Sequence, residues 1–240
     1  MRIIPVILFV VLFLTIGSIP AWLILWVVRR FSPQRADRMA LSYVQWAFRV
    51  VGWLSGVRLS VSGRENIPED RPVLYISNHR SYFDVVTGYP QVKGLCGFVA
   101  KKQIEKVPSL RVWMRLLHCQ FLDRDNMREG LNTIRSCVDL VKEQGVSVWI
   151  CPEGTRNREK EMLPFKEGSF KIAELAGCPV IPVAISHSDE VLEQHFPWIR
   201  ATHVSMEFGK PIETGSMDRA ARKALPGQVR EQIQEMLDQP

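Results

Sequence analysis

The stretch LYISNHRSYFDVV, residues 74–86, places a histidine and an aspartate five positions apart at the end of an apolar run. We expect the run to form a strand, so that His79 follows its carboxyl end and Asp84 enters the next helix, with Ser81 as its cap. A carboxylate beside an imidazole fixes the ring's tautomer and stabilises the imidazolium formed when the other nitrogen accepts a proton. The pair therefore predicts a general base with its orienting group, although a histidine satisfied locally at a helix start has the same spacing.

Three further segments carry polar or proline residues beside apolar runs. Asp123 and Arg124 end the run CQFLDRDN, and residues 152–156 end VSVWICPEGTRN. A guanidinium group presents a fork of donors to phosphate oxygens, and Gly154 lets a ligand approach the backbone closely. Taken singly, these two segments also fit a surface ion pair and a charged turn. The last segment, GCPVIPVAIS, fits a core or edge strand equally well.

Other common catalytic motifs are missing from the sequence. It contains no Gly-x-Ser-x-Gly elbow, no glycine-rich phosphate loop with Lys-Ser/Thr and no His-Glu-x-x-His helix. Serine-nucleophile and zinc chemistry are therefore not indicated. We expect the histidine to act on a hydroxyl of the substrate itself.

The remaining chain must supply the elements that position these residues. Seven strands are predicted, at residues 57–62, 72–77, 97–100, 120–122, 146–150, 180–185 and 204–208. Helices are predicted between Asn126 and Gly145, over residues 170–176, and over residues 220–237. This alternation predicts an α/β fold whose mixed, largely parallel sheet is flanked by helices. In such sheets ligands gather at the carboxyl ends of the strands, where the polar segments lie.

Residues 1–55 predict a two-helix membrane-anchoring segment that precedes an α/β domain over residues 56–240. Residues 3–28 carry no charge, and as one helix they would be about 39 Å long, enough for a hydrocarbon core of about 30 Å. A cleaved signal peptide would have a shorter apolar region. The arginines beyond this segment outnumber Arg2 before it, which predicts a cytoplasmic location for the bulk of the chain. The segment either spans the bilayer or, broken near residues 17–20, enters one leaflet.

Ser32-Pro33 predicts the start of the second helix. Its polar residues recur at helical spacing and form one stripe: Arg35, Arg38, Ser42, Gln45 and Arg49. The other positions are largely apolar and include two tryptophans. This pattern is typical of a helix in a membrane interface, and a core helix of the soluble domain is the alternative.

Charge and cysteine content narrow the choice of partners. The formal net charge is +6, which suits anionic lipid headgroups or phosphorylated ligands, although solubility alone also explains it. The five cysteines are scattered, without a C-x-x-C pair. They predict buried free thiols in a reducing compartment. We expect neither a metal nor a nucleic acid as a partner.

The four segments, in this order, resemble those of the 1-acyl-sn-glycerol-3-phosphate acyltransferases of the PlsC type. The matching residues are Asn78-His79-x-Ser81-x-x-Asp84, Phe121-Leu122-Asp123-Arg124, Pro152-Glu153-Gly154-Thr155-Arg156 and Pro179-Val180-Ile181-Pro182-Val183. FVAKKQI, with Lys101-Lys102, is similar to a basic segment of that family. The resemblance runs from about residue 57 to residue 212. His118, Cys151 and Asn157 depart from it, since glycine, phenylalanine and serine are usual there.

The resemblance implies transfer of a fatty acyl group from acyl-CoA or acyl carrier protein to the sn-2 hydroxyl of lysophosphatidic acid, which gives phosphatidic acid. In this interpretation His79 deprotonates the hydroxyl and Asp84 aligns the imidazole, without a metal, a cofactor or an acyl-enzyme. The implied substrate ligands are Arg124 and Arg156 for the phosphate, Glu153, Gly154 and Thr155 along the glycerol, and Lys101 as a further candidate for the anion.

Several consequences and alternatives accompany this interpretation. The implied location is a bacterial inner membrane, with the catalytic domain on the cytoplasmic side. Backbone amides after Ser77 are expected to stabilise the oxyanion. Another lyso-lipid acceptor, a lipid hydrolase and a non-catalytic lipid-binding protein are the alternatives.

Overall fold

The computed structural model describes residues 2–124, 126–159 and 161–239. The helices are α1 (Ile3–Leu12), α2 (Ser18–Phe31), α3 (Pro33–Ser55), α4 (Phe83–Gly88), α5 (Pro108–Leu116), α6 (Met127–Gln144), α7 (Lys171–Ala176) and α8 (Arg219–Asp238). The strands are β1 (Arg58–Ser62), β2 (Leu74–Ser77), β3 (Cys96–Lys101), β4 (Gln120–Leu122), β5 (Ser147–Ile150), β6 (Val180–Ser186) and β7 (His203–Phe208).

These strands form one sheet in the order β1-β7-β6-β2-β5-β3-β4. β6 and β7 are antiparallel, and all other neighbouring strands are parallel. The central strand β2 is buried along its whole length, as expected for a parallel strand with both faces covered. The predicted α/β fold is confirmed, and each predicted strand is present with its ends shifted by no more than two residues.

Each face of the sheet packs against its own core. Alternate residues of β2 point to opposite faces, so that Tyr75 joins one core while Leu74 and Ile76 join the other. In the first core the ring centroids of Tyr75 and Trp149 lie 5.1 Å apart, and those of Trp149 and Phe98 lie 5.0 Å apart. The helices α6, α7 and α8 cover the second core. Both cores therefore hold β2, whose carboxyl end carries the His79 segment.

Helix ends follow the predicted signals in two places. The Asn126 side chain accepts from the amides of Arg128 and Glu129 at the start of α6, and Gly145 ends that helix with φ 64°. Ser32 caps α3, with Pro33 in its first turn. The nine-residue α5 has no counterpart among the predicted helices.

The helices α1 and α2 are joined by a π-helical turn, Phe13–Gly17. Together, Ile3–Phe31 is the one helix within the described ranges that is long and apolar enough to cross a membrane, by length and composition alone. In the π turn the Leu14 carbonyl accepts from Ser109 of α5 at 2.5 Å. Such turns release carbonyls from the regular helical ladder, and here the neighbouring helix satisfies one of them.

Both ends of this long helix also contact the rest of the protein. At the amino end, Arg2 donates to the Leu54 carbonyl at 3.3 Å. At the carboxyl end, Arg29 forms an ion pair with Asp37 of α3. The helix therefore lies alongside α3 and the α/β domain from end to end, and its outward face stays apolar and exposed.

The helix α3 combines the two alternatives given for it. Its small residues, such as Ala36 and Ala40, are buried against the core. Its arginine stripe is exposed, and Trp53, one turn after Arg49 on the same face, is 76% exposed. One face of α3 therefore packs into the core. Its exposed face presents arginines and tryptophans outward, as interfacial helices do.

Candidate active site

The predicted site segments follow strands that run in the same direction. β2, β3, β4, β5 and β6 are mutually parallel, so their carboxyl ends lie at one edge of the sheet. His79 follows β2, Arg124 follows β4, and residues 152–156 follow β5. The topology alone thus brings three of the four segments to one edge.

His79 and Asp84 form the expected pair. His79 Nδ1 lies 2.8 Å from Asp84 Oδ2, and Asp84 sits in the first turn of α4. The Asp84 side chain is 3% exposed and the His79 side chain 19% exposed. Because Nδ1 is held by the carboxylate, Nε2 is the nitrogen left to exchange a proton, on a ring that solvent reaches.

The backbone of the His79 segment is held by carboxylates. The four consecutive amides of residues 79–82 donate to Glu153, to Asp84 twice, and to Glu193, at distances between 2.8 and 2.9 Å. The expectation that the amides after Ser77 face an oxyanion is therefore wrong for these four residues. Their donors are occupied in fixing residues 78–82, the candidate catalytic loop, and the neighbouring Asp84.

Glu153 is buried and ties the first segment to the third. One oxygen accepts from the His79 amide and the other from the Leu163 amide at 3.0 Å. Burial raises the pKa of Glu153, while these backbone donors act in the opposite direction. The Asn157 amide donates back to the His79 carbonyl at 2.7 Å. Glu153 thus braces the loops, and its predicted role along the glycerol stays a prediction.

Arg156 lies at the mouth of the site. Its guanidinium group packs 3.8 Å above the ring of Tyr82 and donates to Glu193 at 3.2 Å. The side chain is 32% exposed, so a ligand can reach it. Thr155 beside it is exposed. Arg156 therefore contacts the candidate catalytic loop directly, through Tyr82.

Gly154 occupies a position whose left-handed backbone favours glycine, and the end of the Lys166 side chain lies close to it. Its φ is 74°, and a Cβ atom there would lie 2.7 Å from Lys166 Nζ. The absent side chain lets a second cation approach the loop between Glu153 and Arg156.

Cys151 lies near several charged groups of the site. Burial raises the pKa of this thiol to about 12, and Asp84, Glu153 and Arg124 all act on it electrostatically. Its sulfur lies 3.3 Å from Ser77 Oγ, directly before the His79 segment. Arg124 of the second segment therefore lies within electrostatic range of the floor of the same site.

The two lysines at the end of β3, Lys101 and Lys102, differ in their surroundings. Lys102 donates to Asp123 at 3.2 Å and to Glu129, and these hydrogen bonds raise its pKa. Lys101 ends β3, is exposed, and pairs in register with Leu122 of β4. Of the two, Lys101 is the one without a carboxylate contact among those described above, and its role toward an anion stays a prediction.

His118, the first departure from the family pattern, has a left-handed backbone with φ 58°. Glycine adopts this conformation without strain, which explains why glycine is usual there. The imidazole compensates with a contact to Asp37, at 3.1 Å between Nε2 and Oδ2.

The five cysteines are free, and all except Cys151 are buried.

The fourth segment forms the core strand β6 rather than a ligand site. The Asn78 side chain joins β2 to it, since Nδ2 donates to the Ile185 carbonyl at 2.8 Å and Oδ1 accepts from the Ile185 amide at 2.9 Å. Ser188 and Glu193, which follow β6, reach the catalytic loop and were missed by the sequence analysis. Their position beyond the carboxyl end of a strand was the signal that would have indicated them.

Among the described residues, no three His, Cys, Asp or Glu side chains are grouped as metal ligands. The groups that converge are instead an imidazole–carboxylate pair and arginine side chains. This set suits proton transfer beside a bound anion.

The chain is similar to known proteins over much of its length. The chain is 29% identical to the 1-acyl-sn-glycerol-3-phosphate acyltransferase of Saccharomyces cerevisiae over 79% of its own length and 63% of that protein. It is 37% identical to the enzyme of that name from Haemophilus influenzae, over 50% of this chain and 52% of that protein. The human alpha enzyme of that name is 32% identical over 57% of this chain and 48% of its own length. The matches therefore cover less than two thirds of these relatives.

A solved structure shares the fold over the whole chain. It is the 1-acyl-sn-glycerophosphate (LPA) acyltransferase PlsC from Thermotoga maritima, with a TM-score of 0.81, 23% identity, and coverage of 100% of this chain and 99% of that one. The acyltransferase family model matches residues 58–186, more than half of the chain. This chain therefore belongs to the acyltransferase family.

Proposed function

We propose that the protein transfers a fatty acyl group from an acyl thioester to the sn-2 hydroxyl of lysophosphatidic acid, giving phosphatidic acid. The observation that carries the proposal is the His79–Asp84 pair at the sheet edge where Arg156 and Arg124 also lie. The proton acceptor suits a hydroxyl, and the guanidinium groups suit a phosphate. The relatives named above carry the same activity in their names.

The reaction follows from the geometry of the pair. Nε2 of His79 accepts the proton of the acceptor hydroxyl as its oxygen attacks the thioester carbonyl. The tetrahedral intermediate collapses, the carbon–sulfur bond breaks, and the imidazolium returns its proton to the leaving sulfur. Asp84 stabilises the imidazolium between these steps. No metal and no acyl-enzyme takes part.

The acceptor phosphate is held by Arg156 and Arg124, with Lys101 as a further cation. Arg156 donates to Glu193. The phosphate therefore either displaces the Glu193 carboxylate or shares the guanidinium group with it. A bidentate guanidinium–phosphate contact is stronger than a neutral hydrogen bond and fixes the orientation of the glycerol. Thr155 and Gly154 directly precede Arg156 in the same loop, and we assign them to the rest of the acceptor site.

The acceptor itself is tested with a panel of lyso-lipids that share one acyl chain. Labelled acyl-CoA and labelled acyl carrier protein are each supplied with lysophosphatidic acid, other lysophospholipids, monoacylglycerol or no acceptor. We expect lysophosphatidic acid to give the highest kcat/KM. If it is the poorest acceptor, the proposal fails in favour of another lyso-lipid, and free fatty acid formed without an acceptor would identify a hydrolase.

We further propose that residues 1–55 anchor the protein to a membrane and that residues 56–240 form the catalytic domain. The outward face of α1 and α2 is apolar, with Ile16 68% and Leu23 62% exposed. Large exposed apolar surfaces of this kind mark membrane or protein contacts. We propose the bacterial inner membrane as the location, with the catalytic domain on the cytoplasmic side, where a net charge of +6 suits the anionic lipids of the leaflet.

The contacts of the long helix favour insertion into one leaflet. Its amino end and its carboxyl end touch α3, and its middle touches α5. A helix that crossed the bilayer would carry one end away from the catalytic domain. We therefore expect both ends to lie on the same side of the membrane.

Cysteine labelling tests this topology. A membrane-impermeant maleimide is added to one side of sealed vesicles that contain Ile4→Cys or Phe31→Cys protein. Both sites should label from the same side as Lys223→Cys, a control on the catalytic domain. The native cysteines give little background because burial raises their thiol pKa values. Labelling of positions 4 and 31 from opposite sides would show a spanning helix instead.

A further inference from the structure

Ser188 contacts the catalytic aspartate from a part of the chain that no motif covers. It follows β6 by two residues and lies beyond the matched region 58–186. The residue is fully buried, and its hydroxyl donates to Asp84 Oδ1 at 2.5 Å across 104 positions of sequence. A buried serine usually satisfies backbone groups, whereas this one is directed at a carboxylate.

The two oxygens of Asp84 have different partners. Oδ2 accepts from His79 Nδ1 and from the amides of Arg80 and Ser81, all within the same loop and helix start. Oδ1 accepts from Ser188. The donor on Oδ1 holds the second oxygen as well, from a different part of the chain, and so further restrains rotation of the carboxylate about its Cβ–Cγ bond.

We propose that Ser188 is a positioning residue for the His79–Asp84 pair, which extends it to a chain of three side chains. The inference rests on the proposed function for its catalytic consequence. Ser188 holds the plane of the carboxylate so that Oδ2 faces Nδ1 throughout the proton transfer. Charged acceptors strengthen such hydrogen bonds, and each member of the chain orients the next.

The segment that carries Ser188 is itself fixed against the catalytic loop. Asp189 accepts from Arg80 at 3.4 Å, and Glu193 accepts from the Ser81 hydroxyl at 2.5 Å. These contacts are made by residues that follow Ser188 in the chain, and they fix the segment that directs its hydroxyl at Asp84. The connection between β6 and β7 thus forms a further wall of the catalytic loop.

The experiment compares Ser188→Ala with Thr214→Val in the full-length protein. Thr214 is also fully buried, but its hydroxyl donates to the carbonyls of Ala173 and Cys178, away from the site. We expect Ser188→Ala to lower kcat by about 10-fold to 100-fold, the value of a hydrogen bond to a charged group. The KM values for acceptor and donor should stay within about twofold, because Ser188 touches neither substrate. Thr214→Val should lower the Tm without this selective loss of kcat.

A spectroscopic measurement tests the same role without substrate. In histidine-labelled protein, the Nδ1 proton of His79 should give a downfield resonance from its hydrogen bond to Asp84. Ser188→Ala should broaden it or move it upfield, and Thr214→Val should leave it in place. If Ser188→Ala does not fold, Ser188→Cys serves in its place, because a thiol is a weaker donor of similar shape.

The outcomes separate the two proposals. An unchanged kcat and an unchanged His79 resonance in folded Ser188→Ala protein would overturn the positioning role. A loss of kcat matched by Thr214→Val at an equal loss of Tm would overturn it too, as a general stability effect. Wild-type protein that transfers no acyl group would instead refute the proposed function, and the resonance would still decide whether Ser188 positions the pair.

Discussion

His79→Ala protein is expected to lose acyl transfer by about 1,000-fold, the contribution of a positioned general base. The imidazole makes its side-chain hydrogen bond to Asp84, and the backbone contacts of position 79 do not depend on the ring. The variant should therefore keep its fold and its binding to vesicles. Initial rates with labelled acyl-CoA and lysophosphatidic acid measure the effect.

His203→Ala is the matched control for this variant. His203 is exposed on β7, two strands away from β2, and contacts Ser60 of the edge strand β1. It should keep wild-type turnover within about twofold, as ordinary surface substitutions do. Unchanged turnover in His79→Ala protein would refute the assignment of the general base.

Arg156→Ala protein is expected to lose about 100-fold in kcat/KM for lysophosphatidic acid, because a charge-assisted contact to the phosphate is removed. Arg156→Lys should recover only part of this loss, since an ammonium group cannot bind two phosphate oxygens in a fork. With monoacylglycerol, which has no phosphate, the same variants should match the wild type within about threefold. The comparison of the two acceptors isolates the phosphate contact.

Arg158→Ala controls for net charge, because Arg158 is exposed two residues further along the same loop. It should change kcat/KM for either acceptor by less than about threefold. Equal losses with both acceptors in Arg156→Ala protein would mean that Arg156 supports the loop, through Tyr82 and Glu193, rather than the phosphate.

The parts of the site that are local in sequence could be predicted. His79 and Asp84 are separated by one turn between a strand and a helix, so their contact follows from the strand end and the helix start. The strands were predictable because each is a short apolar run bounded by turn residues. The parallel sheet then follows from the alternation of strands and helices, and the shared edge follows from the parallel sheet.

The parts that depend on which strands are neighbours could not be predicted. Glu153 faces the His79 amide because β5 lies beside β2, and nothing in the motif shows that its carboxylate points inward. Ser188 meets Asp84 because β6 lies on the other side of β2. Two of the loop amides donate to Glu153 and Glu193, which lie 74 and 111 positions away in sequence, so the sequence did not show that these amides are occupied.

The π turn between α1 and α2 also depends on a contact between residues that are far apart in sequence. Its carbonyl at Leu14 is satisfied by Ser109, 95 positions away. Hydrophobicity alone therefore describes the length of this segment and its apolar character, but not its geometry. The same limit applies to α3, whose buried face is visible only once the sheet lies beneath it.

A structure of the protein with lysophosphatidic acid bound is the most direct test of the account. We expect the sn-2 oxygen to lie about 2.6–3.2 Å from His79 Nε2, the reach of a general base. The phosphate of the same molecule should contact Arg156 and Arg124. A phosphate bound elsewhere, or an sn-2 oxygen beyond the reach of Nε2 even through one water, would contradict the proposal that these side chains serve one acceptor.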